Sequence, residues 1–333
     1  MSTPDEAELC YPHLGNSSCR RIVRSHSVSV LLHIILSSIS VLTVTLNLLV
    51  IISISHFRKL HTPTNFLLLS LAVSDFSVGF LWMFQILLLD GCWVLSAGWC
   101  VFNAVVTATV ASASVGTVVL ISVDRYVAVC DPMHYQTKVT VNRAMIGIVL
   151  CWLCSVIFYS AMFKDNLEHP GRFNSCAGDC KVYIPFISEI VNLFLNYIIP
   201  FSIIVVLYVR VFMVAVSQAQ AMRSHVTVVT LQSSQKVNRS ELKAARALGV
   251  VVVVFLLCST PFYCVALSRG FADISATSFA SVLCVVLFNS LLNPVIYVFL
   301  YPWFRKCVKC VLSLQILKSG SKNLRVNIIT YTY

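Results

Sequence analysis

Seven long apolar stretches, at roughly 28–55, 64–89, 97–130, 142–163, 186–215, 244–268 and 275–300, dominate this chain. Each is long enough to cross a hydrocarbon layer about 30 Å thick. Inside lipid every backbone N–H and C=O needs an internal partner, and stretches of this length meet that demand as helices rather than barrel strands. Hydrophobic residues form 58% of the 333 and charged residues 11%, which excludes an ordinary soluble domain. The expected fold is an all-α integral membrane protein, a seven-transmembrane helix bundle over 28–300. A polar segment, 1–27, precedes it and a tail, 301–333, follows. No cleavable signal is expected, because no short apolar segment precedes the first stretch. The stretches show no internal repeat, so an inverted-repeat transporter gains no support.

Basic residues set the orientation. With the N-terminus outside, only Arg20, Arg21, Arg24, Lys164, Arg172, Lys181 and Arg269 of the 24 lysines and arginines lie outside. The excess on the other side favours that topology, although the three N-terminal arginines argue against it. The net charge of +11 then reads as topology and contact with anionic lipid, not as nucleic-acid binding. The expected place is the cell membrane, multi-pass, with an extracellular N-terminus. Six cysteines fall outside: Cys10, Cys19, Cys92, Cys100, Cys176 and Cys180. An even set in an oxidising compartment points to disulfides, and six leave about fifteen connectivities open. Asn16-Ser17-Ser18 is a glycosylation sequon on the same side, while Asn238-Arg239-Ser240 lies on the wrong side. Cys307 and Cys310 follow the last stretch beside basic residues, a setting for palmitoylation.

Three polar groupings interrupt the apolar stretches. Asn289, Asn293 and Tyr297 recur at i, i+4 and i+8 and share a helix face, with Pro294 removing a backbone donor beside Asn293. This is a polar, bendable seam turned toward other helices. Asp75 lies mid-stretch, where an unpaired carboxylate costs about 2.5–3.5 kcal/mol. It calls for polar partners or a cation, and Ser114, Asn289, Ser290 and Asn293 supply oxygens. Asp124-Arg125-Tyr126 closes the third stretch at its cytoplasmic edge, where a charged residue needs a partner; the adjacent carboxylate supplies one and Glu241 offers a second.

These motifs resemble rhodopsin-like G-protein-coupled receptors, and Tyr301-Pro302-Trp303-Phe304 resembles the trace amine-associated receptors in particular. Asn47, Trp152, Pro200, Tyr208, Phe255 and Pro261 match family markers one by one. The resemblance implies a short amphipathic eighth helix and a G protein engaged by Arg125. It assigns Asp124, Arg125, Tyr126, Glu241, Tyr208, Asn293, Pro294 and Tyr297 to the switch. It implies a sodium site at Asp75, Ser114, Asn289 and Asn293, and no other cofactor. It also implies a Cys100–Cys180 bridge, with Cys10–Cys176 and Cys19–Cys92 tying the N-terminus to the loops.

The chain departs from that family where an amine would bind. The third-stretch aspartate is replaced by Thr107, and no carboxylate occurs from Val101 to Val123. The sixth-stretch tryptophan is replaced by Ser259. Cys284 and Leu287 stand where aromatic residues usually cap an amine. In some fish relatives the acid moves to the fifth helix, but that position is Asn192. Glu189 is the remaining candidate. It shares a face with Asn192 and Asn196, as Asn103 shares one with Thr107. If these faces converge under Phe262 and Tyr263, they form a polar pocket. A water-facing Glu189 is the alternative, and Asp90 is a weaker second acid.

The function expected is a receptor, not an enzyme, for a small-molecule ligand such as an amine odorant, acting through a heterotrimeric G protein that raises cAMP. A family receptor for a non-amine ligand is the main alternative. An opsin would need a Schiff-base lysine, and 275–300 holds none. A transporter would need a chain of intramembrane ionisable groups, and the scattered ones here, such as His33, do not form one.

Overall fold

The computed structural model describes residues 9–22, 25–86, 91–224, 249–250, 252–264, 284–285, 287–296 and 302–313. Short polar side chains open the first four long helices by taking a free backbone N–H. Ser25 accepts from Val28 ahead of α1, His26–His56. Thr62 accepts from Asn65 ahead of α2, Pro63–Gln85, and Pro63 adds a φ already suited to the first turn. Ser96 does the same for α3, Ala97–Cys130, and Thr140 for α4, Val141–Met162. α5 starts as Phe186–Leu193, passes through a π-helical turn, Phe194–Ile198, and continues as Ile199–Ser224. The described parts of the last two apolar stretches are α6, Val252–Cys264, and α7, Leu287–Ile296. α8 is Pro302–Leu312. By length and composition α1 to α5 are able to cross a membrane.

α1 packs on α2, α2 on α3, and α3 on both α4 and α5. Val50, Leu71, Val118, Ile204, Phe255 and Phe304 belong to the largest buried cluster, which joins α1, α2, α3, α5, α6 and α8. The α1–α2 approach depends on Gly79, where a Cβ would lie 3.0 Å from Thr43 Cγ2. α4 is apolar on its outside as well: Ile157 is 69% exposed, and its buried residues are Ser155 and Tyr159. A helix apolar all round suits a membrane, not water. α8 is two-faced, with Phe304 and Cys307 buried and Arg305, Lys306 and Lys309 exposed.

Prolines shape the interior. Pro200 has no N–H to give the carbonyl of Asn196, four residues earlier, and the π-helical turn falls over that place. The freed Asn196 carbonyl accepts a hydrogen bond from Tyr263 Oη of α6 at 3.3 Å. Pro294 likewise frees the Ser290 carbonyl, and Asn47 Nδ2 of α1 donates to it at 3.1 Å.

At the end where α3 begins, residues 9–22 fold into a cap. Leu9 pairs antiparallel with Arg20 and Ser18 pairs parallel with Ala177. Cys19 N–H donates to the Ala177 carbonyl, and Ala177 N–H donates to Ser17. Three disulfides hold the cap: Cys100–Cys180, Cys10–Cys92 and Cys19–Cys176. The first is the expected bridge, and the two N-terminal pairings are exchanged relative to expectation. The pairing register explains the exchange, because Cys19 alongside Ala177 stands next to Cys176. Cys10 instead lies over Gly178, whose φ is +95° and where a Cβ would come within 3.1 Å of Cys10 Cβ.

Disulfide mapping of the intact protein is expected to recover Cys10–Cys92 and Cys19–Cys176 peptides. Cys19→Ser should expose Cys176 to thiol labelling and leave Cys92 protected; labelling of Cys92 instead would restore the other connectivity. Cys100→Ala removes a constraint of about 2–5 kcal/mol and should abolish folded protein at the cell surface.

Candidate functional site

The end of α3 opposite the cap carries a buried charge pair. Arg125 and Asp124 are 4% and 2% exposed. Arg125 Nε and Nη2 donate to Asp124 Oδ2 at 2.9 and 2.6 Å. Thr64 of α2 donates to the same oxygen at 2.9 Å and accepts from Arg125 Nη2 at 2.8 Å. Tyr135 Oη donates to Asp124 Oδ1 at 2.8 Å. A desolvated ion pair is stable only when its remaining lone pairs are filled, and Thr64 and Tyr135 fill them. Neither was picked out from the sequence. The available signal was the Asp131-Pro132 turn, which sends the chain back on itself and returns Tyr135 to α3. Lys138 and then His134 bind Asp131 beside that turn and hold its carboxyl down to about 2. Tyr126 turns away and packs with Val129, Val211 and Val214. Tyr208 is half-buried against the main core. Glu241 and Tyr297 lie outside the described residues.

In the middle of the bundle Asp75 is 1% exposed, and its Oδ2 accepts from Asn293 Nδ2 at 2.8 Å. Ser290 is its second hydrogen-bonding neighbour. Ser114 and Asn289 are buried on α3 and α7. The amide oxygens of Asn47, Asn289 and Asn293 are buried without a hydrogen bond. A carboxylate with unmatched hard oxygen donors suits a small cation. Asn47 joins this set through the Ser290 carbonyl that Pro294 frees.

Nearer the cap, α5 splits the expected pocket residues into separate groups. Asn192 Oδ1 accepts from Tyr159 Oη at 2.7 Å and from Asn196 Nδ2 at 2.9 Å. Asn196 Oδ1 accepts from Ser112 Oγ at 2.6 Å, and Ser112 meets Ser155 Oγ at 3.0 Å. Tyr263 stacks on Tyr197 with ring centres 4.4 Å apart, Phe262 meets it edge-on, and Tyr197 Oη donates to Thr260. Asn192, Asn196 and Tyr263 thus tie α5 to α3, α4 and α6. Thr107 turns instead to Gln85 of α2, at 3.5 Å. Asn103 is buried with its Oδ1 unmatched. No bond joins the Asn103–Thr107 pair to the α5 row among the described residues. Glu189 is half-buried and makes no side-chain hydrogen bond or ion pair among them. Asp90 lies outside the described residues. Tyr159, Ser155 and Ser112 are not among the expected pocket residues; for Ser155 and Tyr159 the available signal is two polar residues four apart in the apolar fourth stretch.

Residues 46–297 match the family described as 7 transmembrane receptor (rhodopsin family). The chain belongs to that family. It is 34% identical to trace amine-associated receptor 6 of Rattus norvegicus, over 98% of this chain and 97% of the relative. Trace amine-associated receptor 8a of Rattus norvegicus is 35% identical, over 95% and 96%. Trace amine-associated receptor 6 of Homo sapiens is 34% identical, over 96% and 95%. The molecule is thus a membrane receptor of the trace amine-associated type and not an enzyme. Its partners are a small-molecule ligand and a heterotrimeric G protein.

In this receptor Cys307 has no exposed surface and packs against Phe57 and Leu60. Burial pushes its thiol up to about 12. It packs into the core here, while Cys310 beside it is partly exposed. Asn16 is exposed, whereas the Ser18 hydroxyl of its sequon is buried, accepting from Tyr11 N–H and donating to Cys19.

Tyr135→Phe removes one charge-assisted hydrogen bond from Asp124, worth about 1.5–3 kcal/mol, and should raise ligand-independent G-protein activation. Arg125→Ala should abolish activation while ligand binding persists. Basal activity unchanged in Tyr135→Phe, measured at equal surface expression, would show that the Tyr135 bond to Asp124 does not restrain activation.

Proposed function

We propose that this receptor senses a protonated amine at the cap end of the bundle and that Glu189 is the counter-ion. The observation that carries this reading is that Glu189 is partly buried and its carboxylate has no hydrogen-bond or ion-pair partner among the described residues. A carboxylate leaving water without a partner is costly unless a cation arrives. Tyr197, Tyr263 and Phe262, on α5 and α6, add ring faces worth about 0.5–2 kcal/mol toward an ammonium.

The cap faces the exterior in this reading, and the Arg125 end meets the G protein inside the cell. Ligand shifts the balance between a latched and an open form by its differential affinity for the two. Tyr263 is the natural coupling point, because it stacks on Tyr197 and bonds the α5 backbone at once. Asp75, with the oxygens of Asn47, Ser114, Asn289 and Asn293, is a fitting sodium site. A cation there supplies the charge that neutralises the buried carboxylate. The exposed basic face of α8 suits anionic lipid, and Cys310 is the acylation candidate. Glycan transfer to Asn16 has to precede burial of Ser18 under the Cys19–Cys176 bridge.

A cAMP reporter screen of amines beside neutral and acidic odorants tests the reading. Glu189→Gln keeps the shape and removes the charge. Losing a buried ion-pair partner costs about 2–5 kcal/mol, a potency loss of at least tenfold. Unchanged amine potency in Glu189→Gln would remove the counter-ion role. Activation of the wild type by a neutral or acidic odorant and by no amine would remove the amine class.

A further inference from the structure

Hydrogen-bond direction along the α5 network says what the group one turn inward of Glu189 offers a ligand. Ser112 Oγ donates to Asn196 Oδ1, and Asn196 Nδ2 points toward Asn192. Asn192 Oδ1 then accepts twice, from Asn196 Nδ2 and from the Tyr159 hydroxyl. Its acceptor is used up. Its Nδ2 makes no hydrogen bond among the described residues, and it is not among the buried atoms left without a partner, so this nitrogen is accessible. An amide nitrogen bears two N–H donors and accepts nothing. Glu189 and Asn192 are three residues apart on Phe186–Leu193, about 4.5 Å along the helix axis. The α5 wall therefore presents an anion and, about one turn inward, donors only.

We propose that this wall selects amines bearing a neutral hydrogen-bond acceptor, an ether or carbonyl oxygen, about one helical turn from the ammonium. Diamines of the same length are disfavoured, because their second ammonium meets the Asn192 N–H groups donor to donor. The inference rests on the Glu189 reading and names the ligand class that the reading leaves open. It also gives the neutral Asn192 a role that an aspartate there would reverse.

Three amines of equal heavy-atom count separate the possibilities: 3-methoxypropylamine, n-pentylamine and 1,4-diaminobutane. G-protein activation is read in cells expressing the full-length receptor, with surface expression measured for every variant. The ether amine should exceed n-pentylamine in potency by about threefold to tenfold, the range of one net hydrogen bond, and the diamine should be weakest. Asn192→Leu should erase the ether's advantage while n-pentylamine still activates, which also reports that the variant folds. Asn192→Asp should invert the order of ether and diamine. A wild-type diamine potency equal to or above the ether's overturns the proposal, as does an ether advantage that survives Asn192→Leu. If all three amines depend on Glu189 yet the ether shows no advantage, only this inference falls. If the amines act independently of Glu189, the counter-ion reading falls and takes this one with it.

Discussion

A backbone carbonyl that proline leaves without its helical partner is the constraint around which this bundle is arranged. In lipid such a group has no water to turn to, and a neighbouring helix has to supply the donor. Asn47 of α1 does so for the Ser290 carbonyl of α7, at 3.1 Å. Tyr263 of α6 does so for the Asn196 carbonyl of α5, at 3.3 Å. Each bond crosses between helices at a place where one helix is already weakened. A helix whose own ladder is broken there is tied by a side chain of its neighbour.

The two bonds also place the functional groups. Asn47, while bound to Ser290, leaves its amide oxygen unmatched close to the Asp75–Asn293 pair. The π-helical turn above Pro200 moves Asn196 into reach of Ser112, and through Asn192 the network extends to Tyr159. Tyr197 and Tyr263 are stacked between α5 and α6, and Tyr197 Oη also donates to Thr260. Below them Phe201 stacks on Phe255. With the Tyr197 and Phe201 ring centres 4.3 Å apart, a continuous aromatic path runs from Tyr263 of α6 into the core at Phe255.

Much of this was legible in the sequence, because membrane burial gives strong signals. Apolar length identified the helices, and Asp75, Asp124 and Arg125 stood out because charge is rare inside lipid. What stayed hidden depended on register and on partner choice. The cap cysteines were identified as a set, but their pairing follows from Ser18 lying beside Ala177, which spacing alone does not reveal. Asn192 and Asn196 were read as ligand contacts from their shared face. The face was right, but their oxygens are occupied by Tyr159 and Ser112, on helices the sequence does not align. Cys307 looked like its neighbour Cys310 until α8 turned it inward against Phe57.

A double-mutant cycle on Pro200 and Tyr263 tests the central claim most directly, with thermal stability of the purified receptor as the readout. Alanine at position 200 restores the N–H that the Asn196 carbonyl lacks, so the Tyr263 hydroxyl should no longer be needed. Tyr263→Phe is expected to destabilise the wild type by about 0.5–1.5 kcal/mol and to cost almost nothing in the Pro200→Ala background. An equal cost in both backgrounds would show that the hydroxyl does not serve the proline-freed carbonyl, and would contradict the account.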